Sequence, residues 1–448
     1  MAGTRSSPRP DGVVDAVGRA LAQHVDAGQR IGVALSGGRD SVALLAAVVE
    51  CARVPATDVT AFHVHHGLSS HADAWAAFCQ RIAASLDVRC VLRRVIVPAN
   101  NAAGTEAAAR AARYDALRSA ALAHRASIVL LAHHRDDQAE TLLLQLLRGA
   151  GPHGLASMPA SREANGVVWM RPLLDVTRSD IDAYVASRNL AYVDDDSNAS
   201  ARHRRNALRQ HLLPAVARFA PSYSTTLARV AAHQAESASL LDELARLDAM
   251  SLVSGDTLDR AGLVSLGVPR ARNLLRYFLR SQGLRPPSAA RLSAMLAQLA
   301  SARRDANVAI AHDGSVVGVF RGRVILHSAP TKAYERQWHY ESVVALPHGQ
   351  LTFVATTGAG LSMTKLSENV VTVRSRRGGE RMQIGPNRPR RALKSLFQEA
   401  GLPPWQRQSL PLVFCGDALV AAPGIGIDAA FAAPQGVSGV LLEWQPQR

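Results

Sequence analysis

Between Gln29 and Pro172, short apolar runs alternate with Ala-rich segments of helical period, and this alternation leaves the chain few folds to choose from. IGVAL (31–35), VTAFHV (59–64), VLRRVIV (91–97) and SIVLLA (127–132) read as strands, and 41–53, 72–87 and 105–124 read as helices. Strand, helix and strand in succession require crossovers, so the segment is expected to be α/β, a doubly wound and mostly parallel sheet. Ligands of such sheets bind beyond the carboxyl ends of the strands, where the polar motifs of this chain fall. The first motif, Ser36-Gly37-Gly38-Arg39-Asp40-Ser41, joins the first strand to a helix that starts at once. Its glycines let backbone approach an anion, while free N–H groups and the helix dipole attract one. Ser36 and Ser41 can donate to phosphate oxygens. Asp40 would repel a polyphosphate unless Mg²⁺ bridges them, so it is the expected metal ligand. A Walker loop is excluded, because none of the three lysines follows a glycine. Gly149, Gly151 and Gly154 match a dinucleotide fingerprint but follow a helix rather than a strand.

At 448 residues, 48% of them hydrophobic, the chain suggests about two to four domains with large cores. Fifty-one Lys and Arg against thirty-six Asp and Glu leave a net charge of +15, which attracts nucleic acid first and an anionic membrane surface second. Lysine occurs only at Lys332, Lys365 and Lys394; coding bias explains arginine in place of lysine, but not the excess of bases over acids. Cys51, Cys79, Cys90 and Cys415 lack CxxC spacing, which disfavours structural zinc, an iron–sulfur cluster or a disulfide scaffold. The polar, Pro-rich start and the lack of a membrane-spanning apolar stretch predict a cytoplasmic protein with no membrane partner. The text turns helix-rich from about Asn206 to Ala300, then resembles a β-meander over 308–327, with turns at Asp313-Gly314 and Arg321-Gly322. Residues 329–370 read as irregular or β-like, and a small α+β module follows from 371. The expected division is a catalytic domain over 1–215, a helix-rich middle domain over 216–330, and a linker with a small basic α+β domain over 331–448.

The SGGxDS pattern after the first strand resembles the PP-loop of the N-type ATP pyrophosphatases, which split ATP to AMP and pyrophosphate to activate a substrate oxygen. Within that superfamily, further segments are similar to the tRNA(Ile)-lysidine synthetases: His63-Val64-His65-His66-Gly67-Leu68, Gly104-Thr105-Glu106 through Arg110, Arg113-Tyr114, and Leu131-Ala132-His133-His134 with Asp136 to Thr141. Arg171-Pro172-Leu173-Leu174, Asp194 to Asn198, Arg205-Asn206 and Arg209 continue the likeness. It resumes at Gly378 to Arg381, Leu393-Lys394-Ser395-Leu396-Phe397 and Pro403-Pro404-Trp405. Arg39 and Arg135 stand where that family more often has an apolar or small residue.

The resemblance implies adenylation of cytidine 34 in the CAU anticodon of tRNA(Ile), then attack on C2 by the ε-amine of L-lysine with loss of AMP. ATP and Mg²⁺ are implied, and a homodimer is compatible. Ser36 to Ser41 would bind ATP. Charge builds on the α-phosphate during adenylation, so cations or donors must face it, and Arg110, Arg113 and His133 suit that role beside Asp40. Asp136, Asp137 and Glu140, spaced to share a helix face, would hold the lysine ammonium, although the Asp pair could instead cap the helix. His63, His65 and His66 could bond near the base or ATP, or ligate a metal. Asp194–Asp196 could touch substrate or only turn the chain. Arg205, Arg209, Arg374, Arg376, Arg377, Arg381 and Lys394 are expected tRNA contacts; the last five lie in a stretch whose only acid is Glu380, though it could be a solvated face. A tRNA 2-thiolase of the same superfamily and a non-catalytic RNA-binding protein are the alternatives. The first generally needs paired cysteines, and the second has no use for Asp40.

Overall fold

The computed structural model describes residues 9–26, 28–52, 58–67, 69–96, 105–194, 204–302, 308–328 and 333–446. The chain divides into two compact units, Met1–Leu240 and Leu241–Arg448.

In the first unit, helix α1 (Asp11–His24) precedes β1 (Arg30–Ala34), α2 (Arg39–Ala52), β2 (Asp58–His65), α3 (Ala72–Ser85) and β3 (Arg89–Arg94). Then come α4 (Thr105–Ala123), β4 (Ile128–Leu130), α5 (Arg135–Leu146), α6 (Pro152–Leu155), the hairpin β5 (Ser161–Ala164) and β6 (Val167–Met170), and α7 (Arg178–Ser187). The sheet order is β3-β2-β1-β4-β6-β5, parallel throughout except for the edge hairpin. Strand order reverses between β1 and β4, which makes the crevice at their carboxyl ends the expected ligand site. The helices and strands are long enough to bury both sheet faces. Val13, Val17 and Leu21 of α1, the apolar face of α2, and Ile181 and Tyr184 of α7 pack on one side. Leu117, Ala120 and Ala121 of α4 pack with Phe62, Val129 and Trp169 on the other. Gly32 permits this second layer, because a Cβ there would lie 2.1 Å from the Phe62 ring.

Beyond α7 the chain is helical from Arg204 to Phe219, with a π-turn over Leu208–Leu212, and Tyr223–Leu252 forms one long helix. The second unit contains the expected meander, Ala309–His312, Ser315–Phe320 and Arg323–Ser328, extended by Thr257–Asp259 and Val253–Ser254 into five strands. Helices Val268–Ser281 and Ala289–Ser301 cover it. The least legible stretch is ordered as sheet. Val343–Leu346 and Gly349–Thr357 pair in series with Ser438–Pro446, a strand some eighty residues further along. A second sheet holds Glu335–Gln337, Val371–Arg374, Leu412–Cys415, Ala418–Ala422 and Gly426–Ile427. Val344, Leu351, Val373, Val413 and Val440 fill the core that these two sheets share. No described helix is long and apolar enough to cross a membrane.

Candidate functional site

The loop after β1 is shaped by its own residues. Gly37 has φ +90°, and a Cβ there would meet Cys79 Sγ at 3.1 Å, so a side chain is both strained and crowded. Ser41 Oγ donates to Gly38 O at 2.8 Å and accepts from Ser36 N at 3.1 Å, while the Ser36 and Ser41 hydroxyls lie 3.0 Å apart. Val193 N donates to Gly37 O at 3.0 Å. The loop lies along a cleft of about 730 Å³, walled by β1, β2, α4, the segment after β4, and Arg205 and Arg209. Ser36, Gly38, Arg39, Asp40 and Ser41 all line that cleft.

Asp40 begins α2. Burial raises its pKa, with His134 opposing the shift, and its Oδ1 is buried with no hydrogen-bond partner. His134 Nε2 lies 3.7 Å from Asp40 Oδ2 and 3.5 Å from Asp137 Oδ2. Burial alone would depress the His134 pKa, but Asp136, Asp137 and Asp40 outweigh it and hold the imidazole above its ordinary range. The neighbouring His133 has the opposite environment. Burial, then Arg171, Arg110 and Arg205, push its pKa down to about 3 against the pull of Asp137. His133 is therefore neutral at pH 7, which leaves it the hydrogen-bonding half of the cation-or-donor role expected of it. Arg113 and His133 share the cleft with Asp40, whereas Arg110 lines an adjoining cavity.

The three acids of α5 separate in role. Asp136 Oδ2 accepts from Arg178 N at 2.9 Å. Asp137 Oδ2 caps its own helix by accepting from His134 N at 3.1 Å, while Oδ1 meets Arg205 at 2.7 Å and Arg209 at 3.1 Å. Glu140 accepts from Arg205 Nε at 2.6 Å and from Arg209 Nε. Two residues expected on tRNA thus neutralise two expected on lysine. Asp137 and Glu140 are 11% and 3% exposed at the side chain, and the arginines below one third, so this four-membered cluster is mostly dry.

The Arg39 guanidinium pairs with Asp182 at 2.6 Å, has its Nε 3.8 Å from Asp40 Oδ1, and lies 5.8 Å over the Tyr192 ring. Arg135 donates to Asp175 O and Thr225 Oγ1. His63 Nδ1 donates to Leu35 O at 2.8 Å, and burial lowers its pKa; His65 Nε2 meets Asp73 at 3.2 Å. No group of three acids, histidines or cysteines that could hold a metal occurs among the described residues. Asp194 lines the cleft, and Asp195, Asp196, Ser197 and Asn198 lie outside the described residues. Burial raises the Cys79 and Cys90 thiols to about 12 and about 11, so neither is a ready thiolate.

In the second unit, tertiary structure supplies acids that the local stretch lacks. Arg374 and Arg377 pair with Glu335, Arg390 with Asp428 at 3.0 Å, and Arg391 with Glu399 at 2.9 Å. The premise that only Glu380 opposes these bases is thereby corrected. Arg374 also lies 3.8 Å over Phe414, and Arg381 donates to Arg390 O at 2.9 Å, while Lys394 is exposed. Glu380 closes the Arg376–Gly379 turn, accepting from Arg377 N at 2.6 Å, Gly378 N at 2.7 Å and Arg376 Nε at 3.2 Å. Burial would raise its pKa, but these donors lower it. Its contribution to stability is therefore present above the ordinary glutamate pKa of about 4.3 and is lost as pH falls through the lower folded value. Glu380→Gln should cost about 1–3 kcal/mol at pH 7. Thermal melts of both proteins from pH 7 to pH 3 should show the gap closing; a pH-independent gap would refute this account.

Three family models match the chain: the PP-loop domain over residues 14–216, the TilS substrate binding domain over 258–325, and the TilS substrate C-terminal domain over 371–444. A protein named tRNA(Ile)-lysidine synthase from Ralstonia nicotianae is 43% identical over 437 residues, which is 93% of this chain and 92% of the relative. Proteins of the same name from Nitrosomonas europaea and Burkholderia pseudomallei are each 39% identical. They cover 98% and 97% of this chain, and 97% and 96% of their own lengths.

Proposed function

The chain belongs to the tRNA(Ile)-lysidine synthase family, and from that premise we propose how its cleft makes lysidine at cytidine 34 of the CAU anticodon. The enzyme is an ATP-dependent ligase. The observation that carries the reading is the convergence on one cleft of the Ser36–Ser41 loop, Arg113, His133 and Asp137, with Glu140 held behind Asp137 by Arg205 and Arg209.

Ser36, Gly37, Gly38 and Ser41 cradle the β- and γ-phosphates with N–H and O–H donors, and Arg39 contributes its backbone at the helix start. Asp40 Oδ1, buried with no hydrogen-bond partner and 3.8 Å from Arg39 Nε, fits Mg²⁺, which usually takes one or two carboxylates together with substrate phosphates. When bound, Mg²⁺ neutralises charge between that carboxylate and the polyphosphate. Arg113 faces the negative charge that develops as O2 of the cytosine attacks the α-phosphorus and pyrophosphate leaves. Arg110 supports it from the adjoining cavity. Neutral His133 hydrogen-bonds the base or the phosphoryl group. Asp137 and Glu140, with Asp136 behind them, receive the lysine ammonium, and Arg205 and Arg209 trade those carboxylates for RNA phosphate as tRNA arrives. Arg374, Arg376, Arg377, Arg381 and Lys394 grip the tRNA body, away from the anticodon.

Incubation with ATP, Mg²⁺, labelled lysine and bulk tRNA tests this. Label should appear at position 34 of the CAU-anticodon isoleucine tRNA, with one pyrophosphate and one AMP released per lysine. ATP turnover on tRNA without lysine incorporation would reject it.

A further inference from the structure

Along one face of α4, Arg110, Tyr114 and Arg118 follow one another at four-residue steps. Opposite them stand Arg162 on β5 and Arg171, the residue that follows β6. These side chains wall a cavity of about 300 Å³ beside the reaction cleft, and Tyr114 lines both. Four guanidiniums face one lining carboxylate among the described residues, Asp115, which approaches Arg118 only to 3.9 Å. Arg171 is 8% exposed and donates to Pro159 O at 2.9 Å, yet its Nε is buried with no hydrogen-bond partner. Arg118 Nε, the atom that Asp115 approaches to 3.9 Å, is likewise buried with no hydrogen-bond partner. Unbonded buried N–H groups weaken a fold unless something satisfies them, and two on one cavity wall call for an acceptor with several oxygens. Burial holds the Arg171 pKa low, Tyr114 opposes that shift, and Arg110 and Arg162 add to it, so the cavity is short of negative charge.

We propose that this cavity holds a backbone phosphate of tRNA, on a nucleotide adjoining the cytidine that enters the reaction cleft. The proposal rests on the lysidine reading for the identity of the RNA. The planar guanidinium forks match a phosphate, and the wall shared through Tyr114 sets the phosphate next to the reacting nucleotide. Positioning the strand here would aim O2 of the base at ATP without touching the reacting atoms. Inorganic pyrophosphate, a product of the reaction, offers the same chemistry and is the competing occupant.

The test uses the full chain with Arg118→Gln, Arg162→Gln and the double substitution, none of them in the proposed catalytic set. Binding of tRNA(Ile) is titrated at several salt concentrations without ATP or lysine. Each single change should raise Kd by roughly threefold to tenfold, and the double should flatten the salt slope by about 0.7–0.9 per lost phosphate contact. The KM for ATP and the kcat at saturating tRNA should hold. Unchanged Kd and slope in variants that melt like the parent would overturn the proposal. Weaker inhibition by added pyrophosphate, with tRNA binding untouched, would assign the cavity to the product and overturn it as well. The activity is separable, because arginine-dependent binding without lysine incorporation would support the cavity while rejecting the reaction.

Discussion

Asp40→Asn is expected to lower tRNA-dependent pyrophosphate release by at least about 10²–10³-fold, the scale of losing one preorganised electrostatic group. The substitution keeps the size of the side chain and the start of α2, so tRNA affinity should stay within about twofold, as for a change that disturbs no packing. What is lost is the negative charge. An amide oxygen is a poor substitute for a carboxylate toward Mg²⁺, and the raised pKa of Asp40 shows that the fold already disfavours this charge when nothing binds it. The Asp40→Asn variant should therefore be as stable as the parent or more so, which a thermal melt will register. Excess Mg²⁺ should restore little. Normal AMP production by the variant would remove Asp40 from the chemistry.

Glu140→Gln should raise the KM for lysine by about tenfold to a hundredfold, the range for losing a charge-assisted contact, and move the KM for ATP far less. It should also destabilise the first unit. Arg205 and Arg209 would keep only Asp137, and breaking a fully buried pair costs about 3–5 kcal/mol. These arginines are 28% and 29% exposed, so roughly 2–3 kcal/mol is the better expectation. Adding Arg209→Ala to Glu140→Gln should recover part of that stability, since removing both partners is milder than stranding one. It should not recover lysine affinity. Equal effects on lysine and ATP, or full recovery of both properties, would make the cluster a structural staple and send the lysine site elsewhere.

How much of this can be read from the sequence depends on how far apart the cooperating residues lie. The parallel strands and the loop at 36–41 are legible because each is written within about ten residues. Helix α1 escapes the sequence reading although Val13, Ala16, Val17 and Leu21 carry the helical period; the Pro-rich residues before it mask the pattern. The β5–β6 hairpin escapes it as well. Asn165-Gly166 signals its tight turn, and both residues have positive φ as that turn demands. The pairing of Arg205 and Arg209 with Asp137 and Glu140 has no local sign, because 65 to 72 residues separate the partners. Acids at 335, 399 and 428 are equally invisible from a stretch that ends near 394.

The pairing of Gly349–Thr357 with Ser438–Pro446 has a consequence for the order of events at the ribosome. The strand that completes this sheet is synthesised long after its partners, so Val344, Leu351 and Phe353 have no finished core to enter until it has emerged. Residues 1–240 carry the whole reaction cleft and precede that strand by roughly 200 residues, a lead of roughly 10–40 s at about 5–20 residues per second. A nascent chain would then expose an assembled cleft while its other half is still searching for its closing strand. Premature stops between residues 358 and 437 should therefore yield aggregation-prone protein with an intact nucleotide site. A translational pause just ahead of Ser438 would lengthen the same exposure without altering a single residue.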